Sequence, residues 1–256
     1  MMVVLAASVR QQLLMFRRNP EQLMALVNAP LLTLAFLAIM RHAERPDLEA
    51  YAILGPAVIT VWSMALLVSG ELIDGERANG TLDAMIAAPA PIGLTVLGRG
   101  ATVTAVSMLS LLESVLVARV AFGVGIGVEH PLLFAATLLA MALAMAGTAV
   151  VMAAVFVLHR SARIFQNSLS YPFYLLGGAV IPPEFLPHWL QPVTKVIFLS
   201  WATELLRDCL RPEAVENVAL RLGMVLLLGA VGFAAGILLL NSVLRRVRRT
   251  GEVSLA

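Results

Sequence analysis

The chain has 256 residues, of which 60% are hydrophobic and 13% are charged, and its mean hydropathy is +0.89. Soluble domains usually carry about 25% charged residues, so this chain has too few charges to cover a surface that faces water. The single cysteine, Cys209, excludes an internal disulfide. The composition therefore excludes a disordered chain, a collagen-like chain and a disulfide scaffold, and it predicts an all-α polytopic membrane protein.

Residues 1–20 predict an amphipathic helix that lies in the membrane interface. In a helix over residues 3–16, Val4, Ala7, Leu14 and Met15 lie near one another. A frayed cytoplasmic tail is the alternative. The polar component of this segment includes Arg10, Gln11, Arg17 and Arg18.

Six stretches are long and apolar enough to cross a bilayer as helices, which takes about 20 residues each. No ten-residue alternation recurs, so a barrel is not favoured. We expect one permease domain over residues 1–256, with the six-helix membrane part at 22–244 and a basic tail at 245–256. The predicted spans are residues 23–40, 51–70, 92–118, 131–158, 164–181 and 222–244.

The arginines predict the orientation of the spans. Basic residues are enriched in the short cytoplasmic segments of membrane proteins. With both termini inside, most arginines fall on the inner side, including the four in residues 245–249, while most acids fall on the outer loops. We therefore expect both termini to be cytoplasmic.

The predicted inner loop between the second and third spans contains a short helix. Thr81 follows Gly80 as a plausible N-cap, and Asp83 suits the positive end of the helix dipole. Pro89 and Pro91 end the helix. A loop that lies on the lipid headgroups is the alternative to a helix that fills a partner's groove. The apolar stripe of the helix, at i, i+3 and i+4, consists of Leu82, Met85 and Ile86.

The predicted outer segment, residues 181–221, is too long for a simple turn. Pro182 and Pro183 break the preceding span, and the apolar run 193–202 is too short to cross. This pattern favours a re-entrant or interfacial hairpin, with Trp189 and Trp201 as anchors at headgroup depth.

The sequence contains no pattern typical of an ATPase, a hydrolase or a metal site. Lys195 is the only lysine, and no glycine-rich loop precedes it, so a P-loop is excluded. The four histidines lack metal-ligand spacing. We predict no catalytic residue, no metal and no cofactor on this chain.

Two motifs resemble those of type-2 ABC exporter permeases. The coupling-helix signature of that family is similar to Glu76-Arg77-x-x-Gly80-Thr81-Leu82-Asp83-x-Met85-x-x-x-Pro89. The fifth span and outer hairpin of the family resemble Tyr171-Pro172-x-Tyr174-x-Leu176-x-Gly178-x-x-Ile181-Pro182, followed by Leu186-Pro187-x-Trp189-Leu190. The resemblance covers essentially the whole chain. The His159-Arg160 turn and Glu113 depart from the pattern.

The resemblance implies a bacterial plasma-membrane exporter with a separate ATPase. A permease dimer, expected to be a homodimer, would recruit two copies of an ABC ATPase subunit that carries ATP and Mg. The groove of that subunit would receive Leu82, Met85 and Ile86, with Glu76 and Arg77 beside them. The substrate would be a drug or antibiotic, or else a lipid or lipid-linked glycan. No nucleic acid is expected as a partner.

Glu113 is the only acid deep in a predicted span. It could lie on the substrate path and attract cationic amphiphiles, or it could pair with a polar group on a neighbouring span. A gradient-driven secondary transporter would favour more such groups and an inverted repeat. An intramembrane enzyme would need a polar constellation that this sequence lacks.

Overall fold

The computed structural model describes residues 2–78, 80, 92–125, 127–158 and 162–250. Over these residues the chain is helical, without a strand, as the sequence predicts. Short 3-10 turns precede the second and third helices. The α-helices are α1 (Met2–Arg18), α2 (Met24–His42), α3 (Glu49–Ala78), α4 (Ile92–Ser107), α5 (Leu109–Phe122), α6 (Pro131–Leu158), α7 (Ala162–Leu176), α8 (Gln191–Thr194), α9 (Phe198–Asp208) and α10 (Val218–Thr250).

In the described part of the chain, 5 helical stretches are long and apolar enough to cross a membrane, which makes this a multi-pass membrane protein. The predicted six-span topology is not confirmed, because α7 has only 15 residues. Residues 177–181 were predicted as part of this span, but the helix ends at Leu176 in a turn. Gly178 in that turn has a φ of +67°, which favours glycine. The candidate spans are Met24–His42, Pro46–Leu66, Leu94–Phe122, Pro131–Val155 and Val218–Ser242.

Two helices extend well beyond their predicted ends, and a third predicted span is broken in the structure. Helix α3 continues past Gly70 to Ala78, into the predicted inner loop, and α10 continues through the predicted basic tail to Thr250. The third span is two helices, α4 and α5, that meet at Met108. Next to this break the hydroxyl of Ser110 donates to the carbonyl of Ser107 at 2.6 Å. Serine hydroxyls compete with the backbone for helix carbonyls, which is a local cause of such a break.

The core lies between α3 and α6, where both helices are most buried. Trp62 of α3 is 1% exposed and packs in one cluster with Met141 and Met145 of α6. Helix α9 adds Phe198 and Leu199 to the same cluster. These contacts place α3 and α6 at the centre of the bundle.

Helices α6 and α10 approach to backbone contact along what we call the sealed seam. A Cβ on Gly229 would lie 2.6 Å from the Cβ of Ala144, and a Cβ on Gly236 would lie 2.8 Å from the backbone nitrogen of Val151. Small residues permit this approach, and close packing drives helix association in lipid. The sealed seam therefore depends on the absence of side chains at Gly229 and Gly236.

Helix α1 packs on α4 through polar residues. The prediction of a helix over residues 3–16 is confirmed, but its buried stripe is Ser8, Gln12 and Phe16, while Leu14 stays 45% exposed. Gln12 accepts a hydrogen bond of 2.8 Å from Nε of the buried Arg99 on α4. The apolar face of α1 that does not pack on the other helices suits a position in the membrane interface. That position stays a prediction.

Candidate translocation site

A cavity of about 360 Å³ opens between α2 and α3 in their candidate spans. We call this contact the open seam. Its volume is within the range of small-molecule sites, about 300–1,000 Å³. Four of the lining residues are apolar and three are polar, and none is charged. The lining residues are Ala25, Asn28, Leu31, Leu32, Ile59, Thr60 and Ser63.

Helix periodicity places these residues on two facing surfaces. Asn28, Leu31 and Leu32 are spaced i, i+3 and i+4 along α2, and Thr60 lies three residues before Ser63 on α3. Thr60 is 1% exposed, and its hydroxyl has no hydrogen-bond partner among the described residues. A buried hydroxyl without a partner costs free energy, and a ligand that displaced its neighbours enough to pair with it would recover part of that cost.

The wall of the cavity is joined to α7. The hydroxyls of Ser63 and Tyr174 share a hydrogen bond of 2.5 Å, and the ring of Trp62 stacks on that of Phe173 with centroids 4.3 Å apart. In the described structure α7 makes its main helix contact with α3. The position of α7 is therefore coupled to the helix that lines the cavity.

Arg207 is a buried cation at the end of the bundle where α3 begins. We call this end of the bundle the Arg207 end. The guanidinium of Arg207, on α9, lies 3.6 Å from the ring centroid of Tyr51 and donates to the carbonyl of Gly178. Thr203 donates to the carbonyl of Gly177 at 2.8 Å. Both bonds satisfy carbonyls in the turn that follows α7, so α9 holds this turn against α3.

Ion pairs tie α9 to α10 at the Arg207 end. Arg221 lies 2.6 Å from a carboxylate oxygen of Asp208 and 3.8 Å from Glu204. Burial raises the pKa of the Glu204 carboxyl, against the opposing charge of Arg221. Burial lowers the pKa of Arg207 to about 10, which still leaves it charged at neutral pH.

The predicted outer-segment residues lie in and around the Arg207 end. Pro182 and Pro183 are buried at a short 3-10 turn, Pro183–Phe185. Trp189 is 73% exposed, whereas the indole of Trp201 donates to the carbonyl of Lys195 at 2.8 Å. A re-entrant path for this segment stays a prediction.

Glu113 lies on α5 and is absent from the cavity lining. Its Oε2 is buried without a hydrogen-bond partner among the described residues. The next residue, Ser114, instead accepts a hydrogen bond of 3.0 Å from Thr33 of α2. The structure thus does not bring Glu113 together with the polar groups of the cavity, and its role on the substrate path stays a prediction.

Only three of the predicted coupling residues lie within the described structure. Glu76 and Arg77 belong to the last turn of α3, and Gly80 has a left-handed φ of +66°. The remaining predicted residues lie outside the described residues. They are Thr81, Leu82, Asp83, Met85 and Ile86.

Sequence reasoning missed the polar residues of the cavity and the anchor at the Arg207 end. Asn28, a lone amide in an apolar span, was the one signal that could have pointed to the cavity. Thr60 and Ser63 look like ordinary span residues until α2 and α3 are placed side by side. Arg207 reads as an arginine of an outer loop, although it is 3% exposed.

The fold and the cavity define a helical membrane protein with a solute-sized site between its spans. The family model described as ABC-2 type transporter (ABC2_membrane) matches residues 3–210. The chain therefore belongs to the ABC-2 type transporter family. No curated protein matches the chain. The family domain is a membrane permease domain that is not itself an ATPase, and membership implies partnership with an ABC ATPase subunit.

Proposed function

We propose that the chain is the permease subunit of an ATP-driven exporter that moves a hydrophobic or amphiphilic substrate, such as an antibiotic or another drug. Family membership supports the transport role. The observation that carries the proposal is the cavity in the open seam, whose lining is mainly apolar with a few polar groups. A lipid or lipid-linked glycan would suit the same lining, and the transport test below includes both classes.

Helix α3 supports a direct mechanical link between the ATPase and the cavity. One continuous helix contains Ser63 at the cavity and Glu76 and Arg77 at the proposed coupling segment. At 1.5 Å per residue, Ser63 and Ala78 are about 22 Å apart along the helix axis. A displacement of the coupling segment would move the cavity wall, and with it α7 through the Ser63–Tyr174 hydrogen bond.

In the proposed complex, two ATPase subunits bind a permease dimer in the bacterial plasma membrane. Thr81, Leu82, Asp83, Met85 and Ile86 form the contact with each ATPase, beside Glu76, Arg77 and Gly80. ATP and Mg stay on the partner. Both termini of the permease are cytoplasmic, so the ATPases bind on the side from which the substrate is taken.

The test is ATP-dependent transport by the reconstituted complex. The permease is co-expressed and co-purified with its ABC ATPase partner, and transport of a drug panel and a lipid panel is measured in proteoliposomes. Met85→Asp places an unpaired charge in the contact, and we expect it to abolish co-purification and transport. Met85→Leu preserves the volume and should retain both. Full transport by Met85→Asp would refute the coupling assignment, and the lack of ATP-dependent transport of any panel member would refute the exporter.

A further inference from the structure

The cavity in the open seam has two polar side chains that the described structure leaves unpaired. The hydroxyl of Thr60 is buried without a partner. The amide of Asn28, on the facing surface of α2, has no hydrogen bond to any described residue and is exposed within a candidate span. A polar group without a partner in a low-dielectric site costs free energy, so a bound molecule that pairs with either group is favoured.

The chemistry of these two groups restricts the partner. An amide offers both donors and an acceptor, and a threonine hydroxyl offers one donor and acceptor sites. The third polar group of the lining, Ser63, already shares its hydroxyl hydrogen bond with Tyr174. None of the described residues that line the cavity is charged. An ammonium or a carboxylate would therefore enter a low-dielectric site without a counter-charge, which is strongly disfavoured.

We propose that the cavity binds an uncharged hydrogen-bonding group, a hydroxyl or an amide, at the head of an amphiphilic molecule. Asn28 and Thr60 determine this specificity, and the apolar lining from Ala25, Leu31, Leu32 and Ile59 holds the adjoining hydrocarbon. The inference rests on the proposed function and narrows its substrate class. It assigns recognition to a neutral pair of side chains and not to the acid at Glu113.

The experiment compares two photoreactive amphiphiles of equal chain length on the full-length chain in lipid nanodiscs. Both contain the same alkyl diazirine, and one ends in a hydroxyl while the other ends in a trimethylammonium group. Crosslinked residues are located by mass spectrometry, and half-saturation is measured by titration. We expect the hydroxyl probe to label residues of α2 and α3 around the cavity, and the trimethylammonium probe to label them weakly.

The variants are close in shape to the native residues. Thr60→Val and Asn28→Leu remove the polar groups, and each should weaken half-saturation by the hydroxyl probe roughly five- to tenfold, the effect of one lost hydrogen bond. The matched control is Thr137→Val on α6, which removes another buried hydroxyl without a partner among the described residues, away from the cavity lining. This control should leave half-saturation unchanged.

Three results would overturn the inference. They are equal or stronger labelling of the cavity by the trimethylammonium probe, an unchanged half-saturation in Thr60→Val, and a change in oligomeric state in Asn28→Leu with unchanged hydroxyl labelling. The last result would assign Asn28 to a contact with a second copy of the chain. Because the experiment needs neither ATP nor the ATPase, its outcome is independent of the transport test of the exporter.

Discussion

The sealed seam between α6 and α10 and the open seam between α2 and α3 differ in packing. The first brings two backbones into contact, whereas the second contains a cavity. At the sealed seam Gly229 and Gly236 allow backbones to meet, with no room for a methyl group. At the open seam the helices leave about 360 Å³ between them, and the hydroxyl of Thr60 has no partner among the described residues. Since lipid provides no hydrophobic force between helices, a seam stays shut only where packing is close. If the proposed transport role holds, the open seam is the place where a solute would enter, whereas the sealed seam would stay shut.

The largest expected effect comes from filling the sealed seam. Gly229→Ala and Gly236→Ala should each destabilise the protein by about 1–3 kcal/mol, because the new methyl meets backbone or Cβ atoms that have little freedom to shift. Gly232→Ala is the matched control on the same helix, since a Cβ there meets nothing within 4 Å. Melting temperatures in detergent, followed by size-exclusion chromatography, measure the difference. Equal melting temperatures for all three variants would contradict the close packing of this seam.

Filling the open seam should change transport and leave the fold intact. Ala25→Phe places a ring in the cavity, so we expect ATP-dependent transport to fall at least about tenfold, while unfolding changes by less than about 1.5 kcal/mol because the space already exists. Ala235→Phe, at an exposed position on α10, is the control and should retain transport. If Ala25→Phe transports normally, the cavity is not on the substrate path.

The link between the open seam and α7 should give a smaller effect. Ser63→Ala and Tyr174→Phe each break the hydrogen bond between α3 and α7. Hydrogen bonds between membrane helices average about 0.6 kcal/mol in double-mutant cycles, and we expect a coupling of that size. The cycle is measured from the unfolding free energies of the two single variants and the double variant. Strictly additive effects would mean that the two hydroxyls do not interact.

The comparison of the seams also explains how far the sequence alone could predict this molecule. Residues 131–158 were predicted as a span, and α6 has these same bounds. A long apolar run that begins with a proline determines both the helix and its first residue from local sequence alone. The predicted fifth span extends beyond the end of α7, because hydropathy alone does not detect the turn of the chain at Gly177 and Gly178.

Properties that depend on two helices meeting were beyond sequence reasoning. The presence of Asn28 and Thr60 in one cavity depends on how α2 and α3 pack, which no periodicity within either helix specifies. Likewise, Arg207 is buried because two groups distant in sequence contact its guanidinium. The ring of Tyr51 packs on it, and the carbonyl of Gly178 accepts a hydrogen bond from it. The sequence does not show which charges tertiary contacts bury.

The smallest expected effect is at Glu113, the acid that the sequence offered as a candidate for the substrate path. Glu113 does not line the open seam, and its buried oxygen has no partner among the described residues. If recognition depends on neutral groups at the open seam, Glu113→Gln removes a charge that the substrate never meets. Transport of the hydroxyl and trimethylammonium amphiphiles should then stay within about twofold of the native protein. Expression and melting temperature should be equal or higher, because an unpaired charge within a span is costly to insert.

Transport assays of both probes on Glu113→Gln and Thr60→Val side by side provide the measurement. A selective loss of the cationic probe in Glu113→Gln would move substrate recognition from the open seam to α5.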